Sequence, residues 1–108
     1  MIQFPAMTIM RIWHGWTAPQ NADAYEQLLK NEILPGIHRI DGYGGAFLLR
    51  RDVGDEVEFV TITTWSSWDA IERFAGEGHT GAVVPPKARA LLARFDEHSE
   101  HYTAAWVP

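Results

Sequence analysis

The chain contains no cysteine. Disulfides, thiolate nucleophiles and cysteine-ligated metals are therefore excluded. It is also short of positive charge: nine Lys and Arg stand against fourteen Asp and Glu, for a formal net charge of −5. A nucleic-acid surface needs a clustered basic patch, so no nucleic-acid partner is expected. No apolar run approaches the roughly 20 residues of a membrane span. The opening MIQFPAMTIM lacks the basic-then-apolar order of a secretory signal. A cytoplasmic chain with no membrane partner is the expectation. The zinc spacing H-E-x-x-H, the phosphate-binding loop, the dinucleotide fingerprint and G-x-S-x-G are all missing. Neither a metal nor an organic cofactor is expected.

What the chain does have is aromatic side chains, five Trp, three Tyr and five Phe in 108 residues. They can fill a core and a protein interface, or they can wall a pocket for a flat organic ligand. The length suits one domain over 1–108. Pro5 would interrupt a central strand, so residues 1–6 read as an irregular lead-in. Met7 or Met10 could equally be the natural start.

The most strongly patterned stretch is VEFVTITTW, residues 57–65. Eight of its nine residues are β-branched or aromatic, which suits a pleated, half-buried surface. Alternation puts Val57, Phe59, Thr61, Thr63 and Trp65 on one face and Glu58, Val60, Ile62 and Thr64 on the other. Neither face is wholly polar, so this reads as a central strand covered on both sides.

The other elements arrange around it. Residues 7–17 read as a first strand, with Thr8, Met10, Ile12, His14 and Trp16 opposed to Ile9, Arg11, Trp13 and Gly15. A helix capped by Asn21 follows, with Leu28 and Leu29 in its buried stripe; Pro35-Gly36 ends or kinks it. Residues 43–51 form a second strand, whose Gly44-Gly45 pair suggests a bulge. The turn at 52–56 joins it to 57–65 as a hairpin. Ser66 and Asp69 resemble a capping box for a helix carrying Trp68, Ile71, Phe74 and Ala75. A glycine-rich loop at 76–81 follows. Pro85-Pro86 then opens a helix with Ala88, Leu91, Leu92 and Phe95 as its stripe, and 97–106 reads as a last strand. This is an α+β chain with the split βαββαβ order of the ferredoxin-like fold. Right-handed crossovers predict a four-stranded antiparallel sheet in the order 4-1-3-2 with helices on one face. A second copy is the simplest cover for the other face, so a homodimer is expected.

Particular stretches also resemble a known family. They are Arg11-Ile12-Trp13-His14-Gly15-Trp16-Thr17, Pro35-Gly36, Gly42-Tyr43-Gly44-Gly45, Leu48-Leu49-Arg50-Arg51, residues 54–60, Thr64-Trp65-Ser66-Ser67 and residues 82–86. Together they resemble the antibiotic biosynthesis monooxygenase superfamily of dimeric α/β-barrels. The resemblance implies a cofactor-independent monooxygenase-like enzyme that oxidises an aromatic or polyketide-like molecule with molecular oxygen. The alternative is a non-catalytic dimeric module that binds a small molecule or serves as a stress-related accessory protein. Haem-degrading relatives carry an Asn on strand one, a Trp on the second helix and a downstream His. Here strand one has no Asn, Phe74 takes the Trp position, and the His position falls near Val84, with His79 the closest histidine. Haem degradation is not expected.

The candidate residues keep two readings each. His14, beside Trp13 and Trp16, is either a general base for a phenol or a hydrogen-bonded core or interface histidine. His79 is a base on a loop able to act as a lid, or a solvated loop histidine. His38 is read in the same way. His98 and His101 point to opposite sides of a strand, which argues against a metal pair. Arg11 either meets an anionic substrate or, as the favoured reading, pairs across strands with Glu58. Trp13, Tyr43, Trp65 and Phe74 are the expected walls of a substrate pocket, Trp65 being equally a core or dimer-interface residue, and His38 and Arg11 are further substrate-binding candidates. A helix–sheet cavity holding at least two of His14, His38, His79, Arg11 and Tyr43 would favour an enzyme. A filled apolar core would exclude one.

Overall fold

The computed structural model describes residues 7–108; the expected lead-in at 1–6 lies outside them. The hairpin is the backbone of the architecture. Strand β2 (Tyr43–Val53) and strand β3 (Glu56–Trp65) pair antiparallel from Val53↔Glu56 to Tyr43↔Trp65. The register shifts between Tyr43 and Gly45, so the glycine pair forms the expected bulge. On its other edge β3 pairs antiparallel with β1 (Ile9–Thr17), from Ile9↔Trp65 to Thr17↔Val57. VEFVTITTW is thus a central strand, and the order is β2-β3-β1 followed by the last strands.

Those last strands differ from the single run expected at 97–106. β4 (Arg94–Phe95) pairs with Gly15 and Trp16, and β5 (Glu100–Thr103) pairs with β1 from Ile12 back to Ile9. Between them the chain leaves the sheet edge to bond the glycine-rich loop: Ser99 N donates to Thr80 O at 2.7 Å, and Ala82 N donates to Glu97 O at 2.9 Å. Phe95 therefore belongs to a strand, not to the preceding helix, which spans only Pro86–Leu91. The sheet is open in the single chain, and its order agrees with 4-1-3-2 once β4 and β5 share the fourth position.

Helices α1 (Pro19–Leu28), α2 (Trp68–Ala75) and α3 (Pro86–Leu91) cover one face. Helix α1 starts earlier than expected. Ala18 is its cap, and Pro19 occupies the first turn, where a missing amide costs nothing; Asn21 N bonds Ala18 O at 3.0 Å inside the helix. Nor does Pro35-Gly36 end the helical path. A π turn over Leu29–Ile33 absorbs one extra residue, Leu34 N bonds Leu29 O, and helical geometry runs on through Leu34–Gly36 and Ile37–Arg39. Helix α2 is capped by Ser67 instead of Ser66: the Ser67 hydroxyl accepts from Ala70 N at 3.1 Å. Ser66 lies one residue before the cap, its N donating to Gly42 O at 2.8 Å.

Candidate functional site

The helix-facing side of β3 is apolar at both ends and hydroxylated in the middle: Val57, Phe59, Thr61, Thr63, Trp65. The buried core divides accordingly. One cluster gathers Ala22, Tyr25, Leu29, Phe59 and Ala88; the other gathers Ile9, Ile37, Trp65, Ala70 and Ile71. Between them the sheet offers Thr61 opposite Trp13 and Thr63 opposite Arg11. There the packing leaves a cavity of about 60 Å³. The rings of Trp13, Tyr25 and Phe74 wall it, with Leu29, Ile33 and Leu34 above and Val83, Val84 and Pro85 at the side. Its polar lining is Arg11, Thr61, Thr63 and Ser99. Burial raises the pKa of the Tyr25 phenol above its ordinary value. Trp13 is held in place from two directions. Its Nε1 donates to Asp96 O at 2.7 Å, and Gly15 leaves the room its ring needs, since a Cβ there would lie 3.0 Å from the indole.

Arg11 is 4% exposed. Its Nη1 donates to His79 O, its Nη2 donates to Gly81 O at 2.7 Å, and Nη1 lies 3.0 Å from His101 Nε2. Arginine only donates, so that imidazole nitrogen must be the acceptor. The guanidinium carbon stands 5.6 Å from the centroid of the Phe74 ring. Burial lowers the Arg11 pKa to about 10. Burial, then the charge of Arg11, then His79 lower that of His101.

The expected Arg11–Glu58 ion pair does not form. Glu58 lies opposite Trp16 and Arg11 opposite Thr63, so the two project from opposite faces of the sheet. Glu58 instead binds His14 Nδ1 at 2.9 Å and Arg51 Nε at 2.6 Å. Arg50, Arg51 and Arg94 all have carboxylate partners. Arg11 has none among the described residues, and residues 1–6 contain no acid.

The candidates therefore separate. Arg11, Trp13 and Phe74 line the cavity. Trp65 is 1% exposed and sits in the adjoining core, where its ring meets Phe74 at 5.3 Å and Tyr43 at 5.4 Å, and its Nε1 donates to Thr63 Oγ1 at 2.8 Å. Tyr43 packs edge-on to His38 beyond it. His14 is on the uncovered face of the sheet, stacked on Trp16. His79 is in the 76–81 loop, and its carbonyl faces Arg11. Its ring lies edge-on to Trp68 at 5.7 Å, with Nε2 3.4 Å from Glu72. Of the five polar candidates weighed for a cavity, only Arg11 lines it. Tyr25, Thr61 and Ser99 were not picked out as site residues. The inward hydroxyl run of β3 was a usable signal for Thr61. Nothing signalled Ser99, whose position depends on the break between β4 and β5. Among the described residues no three His, Asp or Glu side chains gather as a metal set, and no helix is long and apolar enough to cross a membrane.

Similar folds occur among solved proteins. Rv0793 from Mycobacterium tuberculosis superposes with a TM-score of 0.57 at 20% identity, covering 94% of this chain and 96% of that one. A mutant of SnoaB, a cofactor-independent oxygenase from Streptomyces nogalater, gives 0.60 at 21% identity, with 92% of each chain covered. No functionally curated protein matches the sequence. The profile described as antibiotic biosynthesis monooxygenase matches residues 8–86, which include β1, the hairpin, α2 and the cavity wall up to Pro85. The chain belongs to the antibiotic biosynthesis monooxygenase family.

Proposed function

We propose that this chain is a cofactor-independent oxygenase that binds an aromatic or polyketide-like molecule in the helix–sheet cavity. The observation that carries the reading is the cavity's composition: three aromatic walls around a buried guanidinium, in a chain of this family. In the proposed reaction the substrate gives a proton to the His79 imidazole, turned inward by the 76–81 loop, and becomes an anion, which gives one electron to molecular oxygen. The radical and superoxide combine as a peroxide on the same carbon. Reprotonation and loss of water then leave a carbonyl, with one oxygen atom in the product and the other in water. The protein contributes a dry volume and fixed orientation. At about 60 Å³ the cavity is far below the roughly 300–1,000 Å³ of a typical ligand site. Entry of a polycyclic ligand therefore requires the segment 76–85 to swing outward, and Gly76 and Gly78, both at positive φ, supply the hinge.

Oxygen uptake with simple anthrones and hydroquinones tests the reading. The His79 ring faces Trp68 and Glu72 in this structure and serves as the base only once the loop turns it toward the ligand. On that reading His79→Ala lowers the rate at least tenfold, whereas His14→Ala, on the far face, stays within twofold. Equal rates in the wild type and both variants would remove these histidines from the mechanism. No uptake by the wild-type protein would remove the oxygenase reading. One observation favours the second reading, a non-catalytic binding module: no histidine side chain lines the cavity. Ligand binding without oxygen uptake would establish it. For the uncovered face of the sheet we propose a second copy of the chain as the cover.

A further inference from the structure

The cavity contains more polar capacity than its own residues satisfy. A buried charge is ordinarily paired, because leaving water without compensation is costly. Arg11 is the only buried Lys or Arg among the described residues, and its partners are two carbonyls and a neutral ring nitrogen. These engage three of the five N–H groups that a guanidinium carries. Two hydroxyls in the same lining, Thr61 Oγ1 and Ser99 Oγ, are buried and have no hydrogen-bond partner at all; Ser99 is 4% exposed. A buried hydroxyl without a partner forfeits its hydration with no bond gained in return.

The register explains why these groups converge. Thr61 lies opposite Trp13, one row along the sheet from the Arg11–Thr63 pair. Two residues of strand separate such rows by roughly 6.6 Å. Ser99 immediately precedes Glu100, which pairs with Ile12, so it approaches the same row from the other edge of β1. One cation and two free hydroxyls thus border one small apolar volume, with no anion among them.

We propose that Arg11, Thr61 and Ser99 form a subsite for an anionic oxygen of the ligand, a carboxylate, phenolate or enolate carried on an aromatic frame. The inference rests on the reading of this cavity as the ligand site. It adds to that reading by requiring the ligand to be bound as an anion. Charge-assisted bonds from a guanidinium are the strong class, and the hydroxyls would donate the remaining ones. Arg11 would also link ligand and loop, because it already holds the carbonyls of His79 and Gly81.

Two isosteric probes, 2-naphthoate and 2-naphthamide, test the subsite by calorimetric titration of the full chain. Wild-type protein is expected to bind the carboxylate at least tenfold more tightly than the amide. Arg11→Gln should weaken naphthoate at least tenfold and the amide less than threefold; a merely structural role would weaken both alike and overturn the assignment. Since Arg11 also ties down residues 79–81, Thr61→Val and Ser99→Ala give independent readouts. Each should weaken naphthoate three- to tenfold with no loss of thermal stability, because each removes an unsatisfied hydroxyl. Equal binding of both probes by the wild type overturns the anion subsite and leaves the ligand cavity standing. Binding of neither probe overturns both. Because no step requires turnover, failure of the oxygenase chemistry alone leaves this result intact.

Discussion

Glu58 shows how a single side chain is governed by strand parity. It is 6% exposed on the face away from the helices, held by His14 at 2.9 Å and by Arg51 at 2.6 Å. The His14 hydrogen bond first, then that of Arg51, hold its carboxyl below the usual carboxylate range. A carboxylate with a lowered folded pKa stabilises the fold in full above its unfolded value, about 4.3, and loses that contribution as pH falls through the folded value. Glu58→Gln is therefore expected to flatten the stability loss below about pH 4.3 and to cost about 1 kcal/mol at pH 7. The cost is small because Arg51 is largely exposed and solvent screens the pair. Denaturant melts of both proteins from pH 3 to 7 check this; parallel curves would contradict it. The same parity decides what was legible. That Arg11 and Glu58 lie on neighbouring central strands could be read from the chain. Their projection from opposite faces depends on the register, Trp16↔Glu58 against Arg11↔Thr63, and no local signal encodes that. The cross-strand pair with Glu58 is therefore not formed, and Arg11 bonds two loop carbonyls and the His101 ring instead.

At the level of elements, alternation and turn residues located the strands well because β1 and β3 are long and patterned. Ends and caps were less legible. Ser66 and Ser67 are adjacent and equally suited to capping, and what separates them is tertiary. Gly42 O takes Ser66 N at 2.8 Å and holds that residue against the 37–42 connection, so α2 starts one residue later with the Ser67 hydroxyl as its cap. The junction of the 37–42 connection with α2 is correspondingly tight. Gly42 has φ +94°, and a Cβ on it would lie 2.6 Å from Ala70 Cβ and 2.9 Å from Ser66 Oγ. Gly42→Ala combines a left-handed backbone with overpacking and is expected to cost about 2–4 kcal/mol. Gly54 in the hairpin turn has φ +58° with open space around it, so Gly54→Ala should cost only about 1–2 kcal/mol. Urea unfolding of the two variants checks the contrast, and equal losses would contradict it. The split of the final strand was illegible for a related reason. Asp96 N still bonds His14 O on β1, but residues 97–99 leave that edge to bond the loop at 80–82, a contact that periodicity cannot report.

Across the whole molecule, the two sheet faces differ in what covers them, and the proposed ligand site and the proposed contact between copies fall on opposite sides. The helix side encloses the cavity. The other side presents Met10, Ile12, Val60 and Ile62 along the central strands, with Phe47 43% and Leu49 50% exposed beside them. A continuous apolar surface of this kind on a small domain calls for a cover. A two-fold contact between copies would put the same face on both sides of the interface. Sedimentation is expected to give twice the chain mass at micromolar concentration, and Leu49→Glu should shift the protein to monomer by weakening association at least a hundredfold, about 2.7 kcal/mol. A wild-type monomer would remove the proposed partner. Leu49 pairs with Val60 on the face turned away from Arg11 and Thr61. The Leu49→Glu monomer should therefore still bind 2-naphthoate within about threefold of wild type. Loss of binding together with the dimer would mean that the second copy completes the cavity, and the two faces would then form one functional unit.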